Sequence, residues 1–488
     1  MFPLGDALVN EDTPPSLRRA LGAPKIVFLV VAAAAPLVAM AGTVPLSIGV
    51  GNGAGIPGAY LVATVTLLLF SVGYAAMSRH ITRGGGFYTY IARGLGRPPA
   101  AAGAVFALVA YNCLVAALAG GIGYFLTTGL GLSVPWWVLS LAGVAVMGLL
   151  GYRSIDLSAK VLAVLMICEI GVLLVFDIAV IAARGADAFT LTSFAPGTVF
   201  SGAPGVAFMF AFGSFAGFEA AALYAEETPD PRRTVPRATY AAVLVIGVFY
   251  LFTSWMMVGA VGADRVRSAA AADSGEFFLN LSAQQLGEAA SSVFGLLIIT
   301  SIFASLLSAH NASSRYLFSL GRDRLLPSAL GRIHPRHASP STASLVQTAF
   351  TVIVVAAFAL GGLDPYRQLV TIMSGLSTLG IILLQAFAAI AIVVFFRRRR
   401  DRRYVRTLVA PVLGCAGMLT ATGLLLWNFD TLADSHAVFI NSLPYVVLAV
   451  GVAAACFTLW LRRADAGRYA GLGGGAEQTA PPVARGEP

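Results

Sequence analysis

Twelve long apolar stretches, nearly free of charge, decide what this 488-residue chain can fold into. They run over about 25–50, 57–78, 99–129, 135–152, 158–183, 204–226, 237–261, 292–317, 341–361, 366–396, 407–427 and 437–461. Each reaches or approaches the roughly 20 residues that a helix needs to cross a bilayer. Lipid offers backbone groups no water, so a spanning segment must be a helix or part of a closed barrel. Unbroken apolar runs, rather than short alternating strands, predict helices. Composition excludes the soluble alternative: 58% of residues are hydrophobic and only 11% charged, where an average soluble domain carries about 25% charged residues. The expected class is therefore an all-α polytopic membrane protein with 12 transmembrane helices embedded in the lipid bilayer.

The net charge of +9 does not point to nucleic acid, because the basic residues follow the positive-inside pattern. With the N-terminus inside, Arg184, Arg265, Arg267 and Arg367 are the 4 basic residues on outer loops, and the other 28 of the 32 Lys and Arg fall on inner segments. Both termini are thus expected in the cytoplasm, with the protein in the plasma (inner) membrane. The polar residues 1–24 read as a cytoplasmic tail, not a cleavable signal. Residues 462–488 read as a disordered cytoplasmic tail. Cys113, Cys168, Cys415 and Cys456 all lie in apolar runs without metal-ligand spacing, so they read as small buried hydrophobes.

Two spans carry too much proline and glycine for plain helices. The first contains Ala35-Pro36 through Gly42-Thr43-Val44-Pro45, and the sixth contains Phe212-Gly213-Ser214-Phe215-Ala216-Gly217. Proline removes a helical hydrogen bond and glycine loosens the backbone. Broken helices at matching places in two halves point to a transport site. Half-helix N-termini suit a carboxylate, and half-helix C-termini suit an ammonium group or a cation. Spans 1 and 6 lie five apart, which fits two five-span repeats of opposite topology, about 25–183 and 204–396 within a core of 25–396, followed by helices 11 and 12 at 407–461. The alternative is that the glycines serve close helix packing.

At three blocks the chain resembles amino acid permeases of the amino acid–polyamine–organocation superfamily. They are Gly84-Gly85-Gly86-Phe87-Tyr88-Thr89-Tyr90, then Gly217-Phe218-Glu219 with the following Ala225–Ala238, then Asn311–Arg315 with Leu320–Pro327. The resemblance implies a 5+5 inverted-repeat fold with discontinuous helices 1 and 6, and alternating access. It implies a substrate carboxylate at the first break, contacted by Ala39, Met40, Ala41, Gly42 and Thr43, and an amino group at the second, near Phe212, Gly213, Ser214, Phe215 and Ala216. Met40 stands where the family commonly has a small residue. Adjacent Tyr111 and Asn112 lie about 100° apart on a helix, so one faces the cavity, and Tyr111 is favoured.

Acids inside spans are costly and functional by default. Glu219 resembles a gating or proton-coupling acid, with a structural role as the alternative. Glu169 stands where several proton-coupled members of the family carry a lysine, and is the expected proton acceptor. Asp177 reads as a solvated rim residue, Lys160 and Arg315 as anchors, and His310 as a core histidine bonded to backbone. Thr300, Ser301 and Ser305 offer a sodium alternative.

No nucleotide-binding lysine motif or zinc-binding His-Glu-x-x-His occurs, so neither an enzyme nor a cofactor is expected. The function expected is import of an amino acid by a secondary carrier, with H+ as coupling ion. Amino acid exchange, or import of a polyamine or other organic amine, stays open. Phe208, Phe210, Phe212 and Phe215 suggest an apolar side chain on the substrate. Oligomeric state is not legible.

Overall fold

The computed structural model describes residues 22–80, 86–129, 131–153, 159–218, 228–273, 275–322, 324–334 and 339–472. The described residues form helices joined by turns and irregular segments, and no strands. The main elements are α1 (Ala23–Ala33), α2 (36–52), α3 (Ile56–Ser78), α4 (Gly86–Leu95), α5 (Arg97–Gly129), α6 (Trp136–Tyr152), α7 (Ala159–Arg184) and α8 (Pro204–Gly213). There follow α9 (Pro231–Val261), α10 (Phe277–Leu286), α11 (Glu288–Arg322), α12 (Ser341–Leu360), α13 (Thr371–Arg398), α14 (Ala410–Trp427), α15 (Val438–Ala464) and α16 (Ala466–Gly471).

Among the described residues, nine helices are long and apolar enough to cross a membrane. Three of the twelve predicted spans do not stand as separate helices of that length. Spans 1 and 2 share one helical run, 38–78, which kinks where Gly51 leaves helical backbone and Gly53 takes φ +61°. Span 4 is the 17-residue α6, and span 6 appears as the 10-residue α8.

Burial sorts these helices. α5 and α13 form the centre, with 72% of their most apolar windows enclosed by protein, whereas α15 encloses 22%. Close approach at the centre depends on absent side chains: a Cβ on Gly380 would sit 2.6 Å from the Phe106 carbonyl oxygen. α7 shows the inverted logic of a membrane helix. Val164, Ile167 and Ile178 face outward, while Glu169 and Asp177 are buried. Polar groups turn inward because lipid cannot solvate them.

The arginine-rich ends gather on one face. There Arg97 donates to the Leu472 carbonyl at 2.9 Å and Arg468 donates to the Arg324 carbonyl at 2.9 Å. At the same face Arg403 grips Asp401 at 2.7 Å and holds its carboxyl down at about 2. At the opposite end Arg367 reaches the Ala271 carbonyl and Arg184 the Ala260 carbonyl. Residues 462–472 depart from the unstructured tail expected: α15 runs on to Ala464 and α16 packs back against the bundle. Two of the four cysteines also depart from expectation. Cys168 and Cys456 are exposed on the bundle surface, while Cys113 and Cys415 are buried.

Candidate functional site

The first helix breaks at Ala34–Ala35, the N-terminal edge of the Ala35–Pro45 stretch expected to be interrupted. α1 ends at Ala33, Ala35 adopts φ +44°, and helix resumes at Pro36. Proline disfavours helical backbone at the residue before it and donates no hydrogen bond, which accounts for the break. Downstream, 38–43 is wound wider than an α-helix, a form frequent at functional sites. The break frees backbone groups that must find partners. Tyr250 donates its hydroxyl to the Ala34 carbonyl at 3.0 Å. The Leu37 N–H donates to the Glu169 carboxylate at 3.4 Å, a long bond that caps the N-terminus of α2. Ser301 lies beside that carboxylate, although its hydroxyl completes no hydrogen bond.

The second break follows Gly213. α8 stops there, the chain turns through 214–218, and Gly217 takes φ +102°. Ser214 donates to the Phe210 carbonyl at 2.8 Å, so the Tyr60 hydroxyl, 2.9 Å away, serves as donor to Ser214. The rings of Tyr60 and Tyr250 meet edge to face at 5.9 Å. One aromatic pair therefore braces both breaks. Sequence reasoning missed these two residues, because nothing local separates them from the other tyrosines among the 15.

Between the breaks lies a cavity of about 670 Å³, within the range of small-molecule sites. It runs from Ala39, Gly42 and Gly213 in mid-bundle to Arg315, Ser319 and Arg322 at the arginine-rich face. Ser305 and Ser308 of α11 and Ser374, Ser377 and Thr378 of α13 supply hydroxyls. Tyr111 lines it, stacked on Tyr316 at 5.2 Å. No acidic side chain lines it among the described residues.

The other end is shut. Tyr366 donates its hydroxyl to the Gly42 carbonyl at 2.8 Å and stacks on Tyr124 at 4.7 Å. A smaller pocket of about 190 Å³ beyond this plug shares Phe210 with the main cavity. Tyr366→Phe keeps the stack and leaves the Gly42 carbonyl without that donor. A hydrogen bond of this kind contributes about 1 kcal/mol, so opening at this end should rise about fivefold. Labelling of Thr43→Cys by an impermeant thiol reagent, applied from the arginine-poor side, would report it; an unchanged rate would show that the hydroxyl does not hold the plug.

The predicted site residues divide. Ala39, Gly42, Thr43, Tyr111, Gly213, Ser214 and Ala216 line the cavity. Met40, Ala41, Phe212 and Phe215 are buried and turn away from it, packed into the core. Phe208 is also buried off the cavity, and Phe210 alone of the four phenylalanines reaches it. Glu169 sits against the start of α2 and does not line the cavity. Glu219 lies outside the described residues, as does the Lys160 side chain.

Asp177 corrects the rim reading: it is 1% exposed and accepts a hydrogen bond from Thr253 at 2.9 Å. His310 bonds a side chain, Ser344 at 2.9 Å, rather than backbone. Asn112 bonds Ser313 at 3.1 Å. Thr300 bonds the Leu297 carbonyl at 3.0 Å. Among the described residues, no group of three or more His, Cys, Asp or Glu could hold a metal ion.

A bundle of apolar helices that encloses a cavity between two interrupted helices has the build of a multi-pass membrane transporter. Residues 21–460 match the amino acid permease family model, and the chain belongs to that family. It is 26% identical over 436 residues to the branched-chain amino acid permease BcaP of Bacillus subtilis, covering 83% of this chain and 86% of that protein. It is 27% identical over 323 residues to the low-affinity putrescine importer PlaP of Escherichia coli, covering 62% of this chain and 66% of that one. Among solved structures, the manganese transporter of Eremococcus coleocola shares the fold, with a TM-score of 0.57 at 13% identity over 93% of this chain and 99% of that one.

Proposed function

We propose that the chain imports a neutral amino acid across the plasma membrane by alternating access, driven by proton symport. The carrying observation is the cavity itself: two interrupted helices flank it, hydroxyls line it, and among its described lining no acid faces a second cationic charge. The likeness to a branched-chain amino acid permease supports the same class. In this reading the chain crosses the bilayer twelve times, with two inverted repeats and both termini inside. The arginine-rich face is then cytoplasmic, and the cavity is open inward.

Glu169 is the coupling acid in this reading. Ionised, it holds the Leu37 N–H and so fixes the start of α2; protonated, it releases its strongest claim on that group, and α2 is free to shift. Proton uptake would thereby bias the helix that carries Ala39, Gly42 and Thr43 in the cavity wall.

Import of a diamine is the second reading, favoured by the likeness to a putrescine importer. The test is uptake of labelled leucine, isoleucine, valine and putrescine into proteoliposomes, with and without an inward proton gradient. Accumulation of the amino acids that collapses with a protonophore is expected. Putrescine uptake alone would reverse the substrate, and uptake only into preloaded vesicles would mean exchange.

A further inference from the structure

From the surroundings of Asp177 we infer that this residue is the port through which protons from the outer side reach Glu169. The inference rests on the proton-symport reading. Asp177 lies eight residues beyond Glu169 on α7, about 12 Å along the axis at 1.5 Å per residue. Its Oδ2 accepts from Thr253, while its Oδ1 is buried and has no hydrogen-bond partner among the described residues. Among the described residues no salt bridge reaches it. The helices packed against α7 are α1, α9, α10 and α11. Their charged groups near this end, Glu276 and Glu288, lie partly or fully in the open, as do Arg184 and Asp187 at the end of α7. None of them forms a bond to Asp177.

An Asn at this position would accept the same bond from Thr253 without the cost of a charge in the membrane, about 2.5–3.5 kcal/mol on insertion scales. What the acid adds is the capacity to gain and lose a proton. Polar groups continue from it toward the first break. Thr253 and Tyr250 lie one turn apart on the same face of α9. Tyr250 bonds the Ala34 carbonyl, and three residues on, Leu37 bonds Glu169. One proton from outer water forms an O–H bond on the Asp177 carboxylate. That bond then breaks as an O–H bond forms on Glu169, with water and the Thr253 hydroxyl carrying the proton across the gap. Asp177 returns to its carboxylate, and no other reactant is consumed.

A port sets the rate and not the equilibrium. In proteoliposomes, Asp177→Asn should lower the initial rate of proton-driven uptake at least tenfold. The plateau accumulation and the rate of substrate counterflow at equal pH should stay at wild-type values, and Asp177→Glu should restore part of the rate. An unchanged initial rate would overturn the inference. So would a lost plateau, which would make Asp177 the coupling acid, or a parallel fall in counterflow and melting temperature, which would make it structural. If wild-type protein shows no proton-driven accumulation, the symport reading has failed, and that control separates the two.

Discussion

Glu169→Gln should abolish proton-driven accumulation and leave substrate exchange in place. The neutral amide stands in for the protonated acid, without the carboxylate's full hold on the Leu37 N–H, and it can neither gain nor lose a proton. One proton moving down one pH unit supplies about 1.4 kcal/mol, enough for about tenfold accumulation of a neutral solute. The expected result in proteoliposomes under an inward gradient of one unit is therefore a fall in the accumulation ratio from about ten to one. Counterflow of labelled substrate should remain within about twofold of wild type. Ratios that still follow the proton gradient in the variant would remove Glu169 from the coupling step. Glu169→Asp, whose shorter side chain must stretch a bond already 3.4 Å long, should retain coupling at a reduced rate.

Gly205→Ala should cost more in fold than any substitution in the cavity. Gly205 opens α8, and its N–H donates to the Asn428 side-chain oxygen at 2.9 Å. A Cβ there would lie 1.9 Å from the Leu424 carbonyl oxygen and 2.6 Å from the same Asn428 oxygen. Neither can yield cheaply, because one is helix backbone in α14 and the other is held by the bond it accepts. Overpacking typically costs about 1–3 kcal/mol, and backbone contact lies at or beyond the upper end. The variant should lose most of its monodisperse yield in detergent and melt well below wild type. Gly171→Ala on α7 is the matched control: nothing lies within 4 Å of its added Cβ. Alanine favours helix over glycine by up to about 1 kcal/mol, so this variant should match or exceed wild type. Equal melting of the two variants would show that α8 and α14 are not packed as described.

The sequence by itself determined the class, the interruption of two helices, and the segregation of charge. Each follows from local chemistry: an apolar run of given length needs a bilayer, and Ala35-Pro36 and Gly213–Gly217 cannot hold regular helix. Basic residues concentrate on alternate loops, wherever those loops come to lie. Even the family resemblance rests on contiguous blocks. Location within the bundle was a different matter. A proline marks a break only to within a turn: the expected stretch ran from Ala35 to Pro45, and the helix yields at its first edge, at Ala34–Ala35. Met40 and Phe215 carry the same residue types whether they face a cavity or a core, and which they face depends on the rotation of each helix against its neighbours. Asp177 near a helix end looked solvated until α9 was placed beside it. Tyr60, Tyr250 and Tyr366 act across separations of 154, 216 and 324 residues. No periodicity along the chain encodes such partners. They exist only once the packing of small residues has brought the helices close enough for a hydroxyl to reach a freed carbonyl.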